Sequence, residues 1–482
     1  MNKKVFISGF ILLLLALAPF GVKNIVDKSI ELNKTELDKV GVDLSIVNTQ
    51  GYINTNRKFT LTISDEVKFK EFFKNLIVEK YPLYSASIDG IYKRDTKELD
   101  DFIKGIVFKG NIENSNINPF SNIKVYTYLD KLSDKIMNKI KNDNDSSQIL
   151  LPLFNTEALA FNMEFDNNTK LKSLVLKDIN EKFNMPNNPG KMNETIFQVL
   201  GYKVINNSTE KEIIADINLD KINFDIKSQR SSSNILLNNL KYNINYENQF
   251  INNGNMKIQN INISSGPKNS VSLGETDIYS KAFVTNGIYS SNFKIYANKF
   301  KLIGNNKNTS LDDLELEVHL NGVNYNKLEN LLLAYNTFEI ESYNAMHLPD
   351  YKKKLKMQEF INPLLKEASS ILNDGLSIKV NSKVSVLTNN NLNLNDLAFV
   401  LDAKLNKNNL TAQTFNQFAL LSLLDINAEL KMLEEDYASL SKIFPSNFTN
   451  LASMYLTKEK GKVKFNLILQ RGKIEVNGQA VN

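Results

Sequence analysis

The sequence contains no cysteine and no tryptophan, and only two histidines, His319 and His347. Without cysteine there can be no disulfide, no thiolate metal site and no cysteine nucleophile. Two distant histidines cannot by themselves build a zinc site, and no H-E-x-x-H occurs. G-x-S-x-G, G-x-x-x-x-G-K-[ST] and G-x-G-x-x-G are also missing. Glycine (19) and proline (10) are scarce in a chain of 482 residues. Asparagine is abundant and threaded between apolar positions, as in an Asn- and Lys-rich proteome. The lack of thiols suits an oxidising compartment, and compositional drift would explain it equally well. Charge is nearly balanced, at +5, with the signs interspersed. That balance and the lack of any nucleic-acid-binding motif argue against nucleic acid as a partner.

What is present begins with a long apolar run. Lys3 and Lys4 precede Val5 to Val22, and Lys23 follows. As a helix this run would be about 27 Å long, enough to cross a bilayer core. The leading lysines favour an N-terminus inside and the remainder outside. Ala16-Leu17-Ala18 has the form of a signal-peptidase site, but Pro19 would then open the mature chain. An uncleaved anchor is the favoured expectation. No later run approaches this length, so a single crossing is expected. Lipid of the inner membrane is then the partner of residues 5–22. After it, Val26, Ile30, Asn33, Leu37 and Val40 form a heptad-like stripe ended by Gly41. It would serve as a dimerising stalk or as a helix lying on the domain.

Helical spacing recurs over 65–77 (N-cap Ser64), 128–141, 325–335 and 350–373, the last interrupted by Pro363. Most of the remainder alternates. Leu376, Ile378, Val380, Val384 and Val386 face one way, with polar residues between them. The series 397–405, 463–469, 242–246 and 293–297 behave alike. Leu392 and Leu394 are out of phase with the series from Leu397, which predicts a bulge or turn near Asn395-Asp396. The predicted fold class is α+β and β-rich: long curved antiparallel sheets backed by amphipathic helices, after one transmembrane helix. The expected organisation is a cytoplasmic tip (1–4), the anchor (5–22), the stalk (23–41), a β-rich region (42–324) and a helix-plus-sheet region (325–482).

With these pieces in this order, the chain resembles the YdgA-like family of bacterial proteins, whose function is unknown. The resemblance rests on the anchor and short helix, and on Gly51-Tyr52 with Thr55. It continues in Leu364-Leu365 through Leu372-Asn373-Asp374-Gly375-Leu376, and in the closing Gly472 to Gly478. Where the family carries His-Gly-Pro, this chain has Lys80-Tyr81-Pro82, and Tyr52 replaces a tryptophan. The resemblance implies architecture and a place in the bacterial inner membrane with the domain in the periplasm. It implies no mechanism.

Few residues are candidates for chemistry, and no catalytic, cofactor or metal site is assigned. His319 lies in Leu-Glu-Val-His-Leu and is expected on the wet face of a strand. His347 precedes the long helix and would need a nucleophile beside it in space. Asp143 and Asp145 look like a calcium loop only superficially, lacking its Gly and Glu. Glu31-Leu32-Asn33-Lys34-Thr35 fits an acid-extended N-glycosylation pattern. Lys352-Lys353-Lys354-Leu355-Lys356 would suit anionic headgroups or a solvated turn; the helix face behind it is expected to pack on a sheet. The leading expectation is a membrane-anchored periplasmic protein with a non-enzymatic binding or structural role. The alternatives are a lipid-handling protein with an AsmA-like apolar groove, and a hydrolase using His347.

Overall fold

The computed structural model describes residue 35 and residues 37–50, 54–80, 102–115, 122–143, 147, 151–152, 157, 159–166, 170–186, 192–209, 212–227, 232–248, 250–266, 268–304, 307–390, 392–409, 411, 421–441 and 455–481. The anchor, the sequon at Asn33, most of the stalk and Asp145 lie outside the described residues. The chain divides into two compact units, residues 1–80 with 91–229, and residues 81–90 with 230–482. The boundary expected at Tyr325 falls inside the second unit. Every described strand pairing is antiparallel.

The first unit contains β1 (Val42–Gln50), β2 (Asn54–Ile63), α1 (Glu66–Lys80), β3 (Val107–Ser115), β4 (Ile123–Lys131), α2 (Asp134–Asn142), β5 (Ala160–Phe165), β6 (Leu171–Leu176), β7 (Ile179–Pro186), β8 (Met192–Leu200), β9 (Lys203–Asn206) and β10 (Ile213–Lys227). Strands β6 and β7 act as one interrupted strand, as do β8 and β9, because each pair keeps a single register against its neighbours. The result is a meander. Its strands and α2 enclose one apolar core containing Phe59, Ile106, Leu129, Ile136, Ile140, Phe165 and Leu174.

Two helix starts differ from expectation. Leu129, Leu132, Ile136 and Ile140 are all buried, but Leu129 belongs to β4. The helix begins only after Ser133, whose Oγ accepts the Ile136 N–H at 3.3 Å. A strand-to-helix turn has mimicked helical spacing. For α1 the cap is Asp65 rather than Ser64. Asp65 Oδ1 accepts the N–H groups of Val67 and Lys68 at 3.2 and 3.0 Å. The carbonyl of Gly41 accepts the N–H groups of both Ser64 and Asp65. Gly41 has φ +77°, and a Cβ there would meet the Asp65 carbonyl oxygen at 2.1 Å, so the expected stop at Gly41 is also a close approach that only glycine permits.

The second unit contains β11 (Ser232–Asn248), β12 (Ile251–Ser265), β13 (Ser270–Leu273), β14 (Thr276–Thr285), β15 (Ile288–Gly304), β16 (Lys307–Asn324), α3 (Tyr325–Asn344), a 3-10 turn (Ala345–His347), α4 (Asp350–Asn373), β17 (Leu376–Asn389), β18 (Leu392–Leu405), β19 (Leu424–Leu433), α5 (Glu434–Ser441), β20 (Thr457–Glu459), β21 (Lys462–Gln470), β22 (Lys473–Val476) and β23 (Gln479–Ala480). Here too β13 and β14 form one interrupted strand. β16 and β17 pair directly although α3 and α4 lie between them in sequence. The helices are therefore a hairpin inserted into a strand connection. They pack on each other, and α3 also touches β16, from which it springs. The apolar stripe of the 350–373 helix, expected to pack on the sheet, has a partner in the neighbouring helix. An amphipathic stripe demands an apolar partner, and the neighbouring helix supplies it as well as a sheet would.

Candidate functional site

Period-two alternation in the second unit separates two chemistries onto two faces. One register row crosses nine strands through Tyr242, Met256, Ile278, Ile295, Leu316, Ser382, Phe399, Leu430 and Phe465. At the usual strand spacing this row is roughly 40 Å long. It is apolar except for Ser382. The adjacent row, on the opposite face, runs Asn243, Asn255, Tyr279, Lys294, Glu317, Asn381, Val400, Glu429 and Asn466. Cross-strand ion pairs lace that face. Lys257 Nζ lies 3.4 Å from Asp277, Lys294 Nζ 2.6 Å from Glu317, and Lys464 Nζ 2.5 Å from Glu429. Lys431 also pairs with Glu429. These lysine partners hold the carboxyls of Glu317 and Glu429 below the usual carboxylate range, against a smaller opposing effect of partial burial.

A strict alternation would break this separation, because the apolar residues change phase partway along several of the strands. They step by three at Leu237 and Leu240, Leu311 and Leu314, and Leu394 and Leu397. Between each pair sits one left-handed residue: Asn239 (φ 47°), Asp313 (φ 50°) and Asp396 (φ 52°). On the interrupted strand the same step falls between Leu273 and Thr276. There Gly274 N–H donates to Lys299 O at 2.7 Å and Asn298 N–H donates to Glu275 O at 2.9 Å. Two adjacent residue pairs are therefore both hydrogen-bonded, where a regular antiparallel ladder would alternate. The backbone flips by one residue while the register carries straight through, as at Val384↔Leu397 and Val386↔Asn395. The irregularity expected near Asn395-Asp396 is thus one point on a line that crosses the sheet. Its effect is to keep both apolar stretches on one face.

That face is largely uncovered. None of the nine residues in its central row is buried, whereas the inner face of a two-layer domain would be. Ile258, Thr276, Ala297, Val384, Leu394 and Met432 are buried beside the flip line, and Ala282, Leu405 and Leu469 are buried farther along the same face. Ile235, Ile263, Phe293 and Leu302 remain exposed. Among the described helices, α5 touches β18, β19 and β21, and α3 touches β16. Tyr242 lies along this face beside Gly254, where a Cβ would come within 3.3 Å of its ring and 3.4 Å of Ser280 Oγ. Glycine makes room for the ring, and burial alone pushes the Tyr242 hydroxyl pKa up.

The histidines do not converge on a site. His319 lies on the polar face of β16, its Nε2 2.8 Å from Glu317 Oε1, as expected for a wet-face strand residue. His347 closes the 3-10 turn of the helical hairpin, and its side chain lies outside the described residues. Asp143 caps the C-terminal end of α2. Among the described residues no cluster of potential metal ligands occurs. A depression of about 400 Å3 on the first unit is lined by Asn111, Glu113, Lys124, Tyr126 and Glu164, among others. Its polar groups satisfy neighbours: Tyr126 donates to Glu157 at 2.9 Å, and Asn122 Nδ2 to Glu164 at 2.7 Å. Burial, followed by that bond, pushes Tyr126 up to about 12, far from any acid-base role near neutrality. No described helix is long and apolar enough to cross a membrane. Comparison with protein-family models, curated proteins and solved structures finds no match.

Proposed function

We propose that the chain is a membrane-anchored envelope protein, held by residues 5–22, whose second unit binds lipid acyl chains along its apolar face. The observation that carries this reading is the uncovered apolar row from Tyr242 to Phe465. Leaving so much apolar surface in water is costly, at about 25 cal/mol per Å2. Continuous patches of this kind mark interaction sites. Across nine strands the central row offers one side-chain polar group besides the Tyr242 hydroxyl, Ser382. An occupant without polar groups along its length matches that chemistry, and a peptide backbone would not. The charged side chains of the neighbouring row, Lys294, Glu317 and Glu429, lie on the other face. The periplasmic location rests on the lysines before the apolar run.

Phe293 and Tyr296 make the test. They lie on the same strand, both 38% exposed, with Phe293 on the apolar face and Tyr296 on the polar one. Each is replaced in the full chain by photoreactive benzoyl-phenylalanine and irradiated in membranes. Phospholipid attached at position 293 and not at 296 is the expected result. Lipid at both positions or neither rejects the reading. Protein captured at 293 in place of lipid favours a scaffold.

A further inference from the structure

The helical hairpin carries a second surface, at its tip, that the acyl-chain reading does not use. α3 and α4 bury their facing sides against each other, with Ala345 and Ile371 enclosed. At the turn between them the opposite happens. Met346, Tyr351 and Leu355 are each at least 60% exposed, and Tyr351 and Leu355 stand one turn apart on one side of α4. Lys352, Lys354 and Lys356 are exposed around them. Residues 345–358 hold four lysines and one acid, Asp350. The ion pair of Lys356 with Glu341 is stretched to 3.9 Å. Lys352 Nζ sits 5.9 Å from the Tyr351 ring centre, too loose a contact to neutralise it.

We infer that this tip docks on an anionic lipid surface, with Met346, Tyr351 and Leu355 entering the headgroup layer and the lysines meeting lipid phosphates. Two features together select that partner. The charge is complementary to anionic headgroups, and lysine stems can reach phosphates while their neighbours sit deeper. An aromatic and two aliphatic side chains projecting singly into water suit the membrane interface, where tyrosine is favoured. An acidic protein would use the lysines but leave these three without a role. The inference stands apart from the acyl-chain reading, since the tip and the apolar face share no residue.

The absence of tryptophan from the chain gives a clean test. Tyr351→Trp in the full protein places a lone reporter at the tip, and Tyr296→Trp places one on the polar face of the sheet. Each variant is reconstituted into vesicles of phosphatidylcholine alone, or with phosphatidylglycerol, and its fold is checked by circular dichroism. The expected result is a blue-shifted Y351W emission, quenched by brominated lipid, only where phosphatidylglycerol is present. Lys352→Gln, Lys354→Gln and Lys356→Gln together should abolish the shift, and Y296W should show none. An unchanged Y351W emission, an equal shift in phosphatidylcholine, or a shift that survives the lysine changes would overturn the inference. Because photolabelling at Phe293 is read separately, either proposal can fail without the other.

Discussion

The two units solve the same problem in different ways. Both are antiparallel meanders with one apolar face. In the first unit the strands in the core are short, six to ten residues among β2 to β6, and α2 closes over them with Ile136 and Ile140. In the second unit β15 to β18 run to 14–18 residues, and the helices that could have closed the face pack on each other. Amphipathic helices in a sequence therefore do not by themselves identify what they cover. Their partner is settled by connection geometry. α2 follows β4 directly and can fold back, whereas α3 and α4 leave and re-enter the sheet as a pair.

The largest expected effect contrasts a residue from each unit. Leu174 is fully buried in the first core. Leu174→Asp puts an unpaired carboxylate there and should cost several kcal/mol, enough to unfold a unit of ordinary stability. Leu316→Asp, in the central row of the second unit, should cost less than about 1.5 kcal/mol, because water already reaches that face. Thermal unfolding followed by circular dichroism separates them. Equal losses would mean that the second unit's apolar face is a core after all, and the contrast would collapse.

A middle-sized effect concerns the flip line. Asn239 holds φ 47°, which a β-branched residue adopts only at a cost of about 1–2 kcal/mol. Asn239→Val should lower the urea midpoint. Asn239→Gly should cost less, since glycine accepts the angle freely even though the bond from Asn239 Nδ2 to Gln259 is lost. Valine tolerated as well as glycine would show that the left-handed residue is not needed to keep the two apolar stretches on one face.

The smallest effect lies on the polar face. Glu317 is held below its ordinary pKa chiefly by Lys294, with His319 adding to it. A depressed carboxylate stabilises the fold above its unfolded pKa, near 4.3, and the contribution disappears as pH falls through the lower folded value. Glu317→Gln should therefore destabilise at pH 7 by about half a kcal/mol or less, as exposed pairs do. At a pH below the lowered folded value, where the carboxyl is protonated in both states, it should be neutral. Denaturant titrations at the two pH values check the sign.

Much of the strand content was legible. The 376–386, 397–405 and 463–469 series all fall in strands, and the 350–373 helix has the expected bounds. Side-chain alternation follows directly from backbone geometry, so it survives in the sequence whatever the neighbours are. The phase slip near Asp396 was also visible, because an irregular backbone leaves a step of three between apolar residues. The strand Ile123–Lys131 was misread in part, since Leu129, Leu132 and Ile136 imitate a helix across a turn. The candidate site was least legible. The sequence showed polar residues opposite apolar ones on each strand but not that all the apolar sets share one open face.

The sequence by itself determined the alternation, the absence of thiol chemistry, the apolar N-terminal run and the lysine cluster, because each is a property of residues near one another in the chain. Only the tertiary structure decided that nine strands align their apolar residues in one row, that α3 and α4 cover each other, and that the row stays open. Register and helix docking depend on contacts between residues far apart in sequence, and a hydrophobic pattern specifies that a face must be covered without specifying by what.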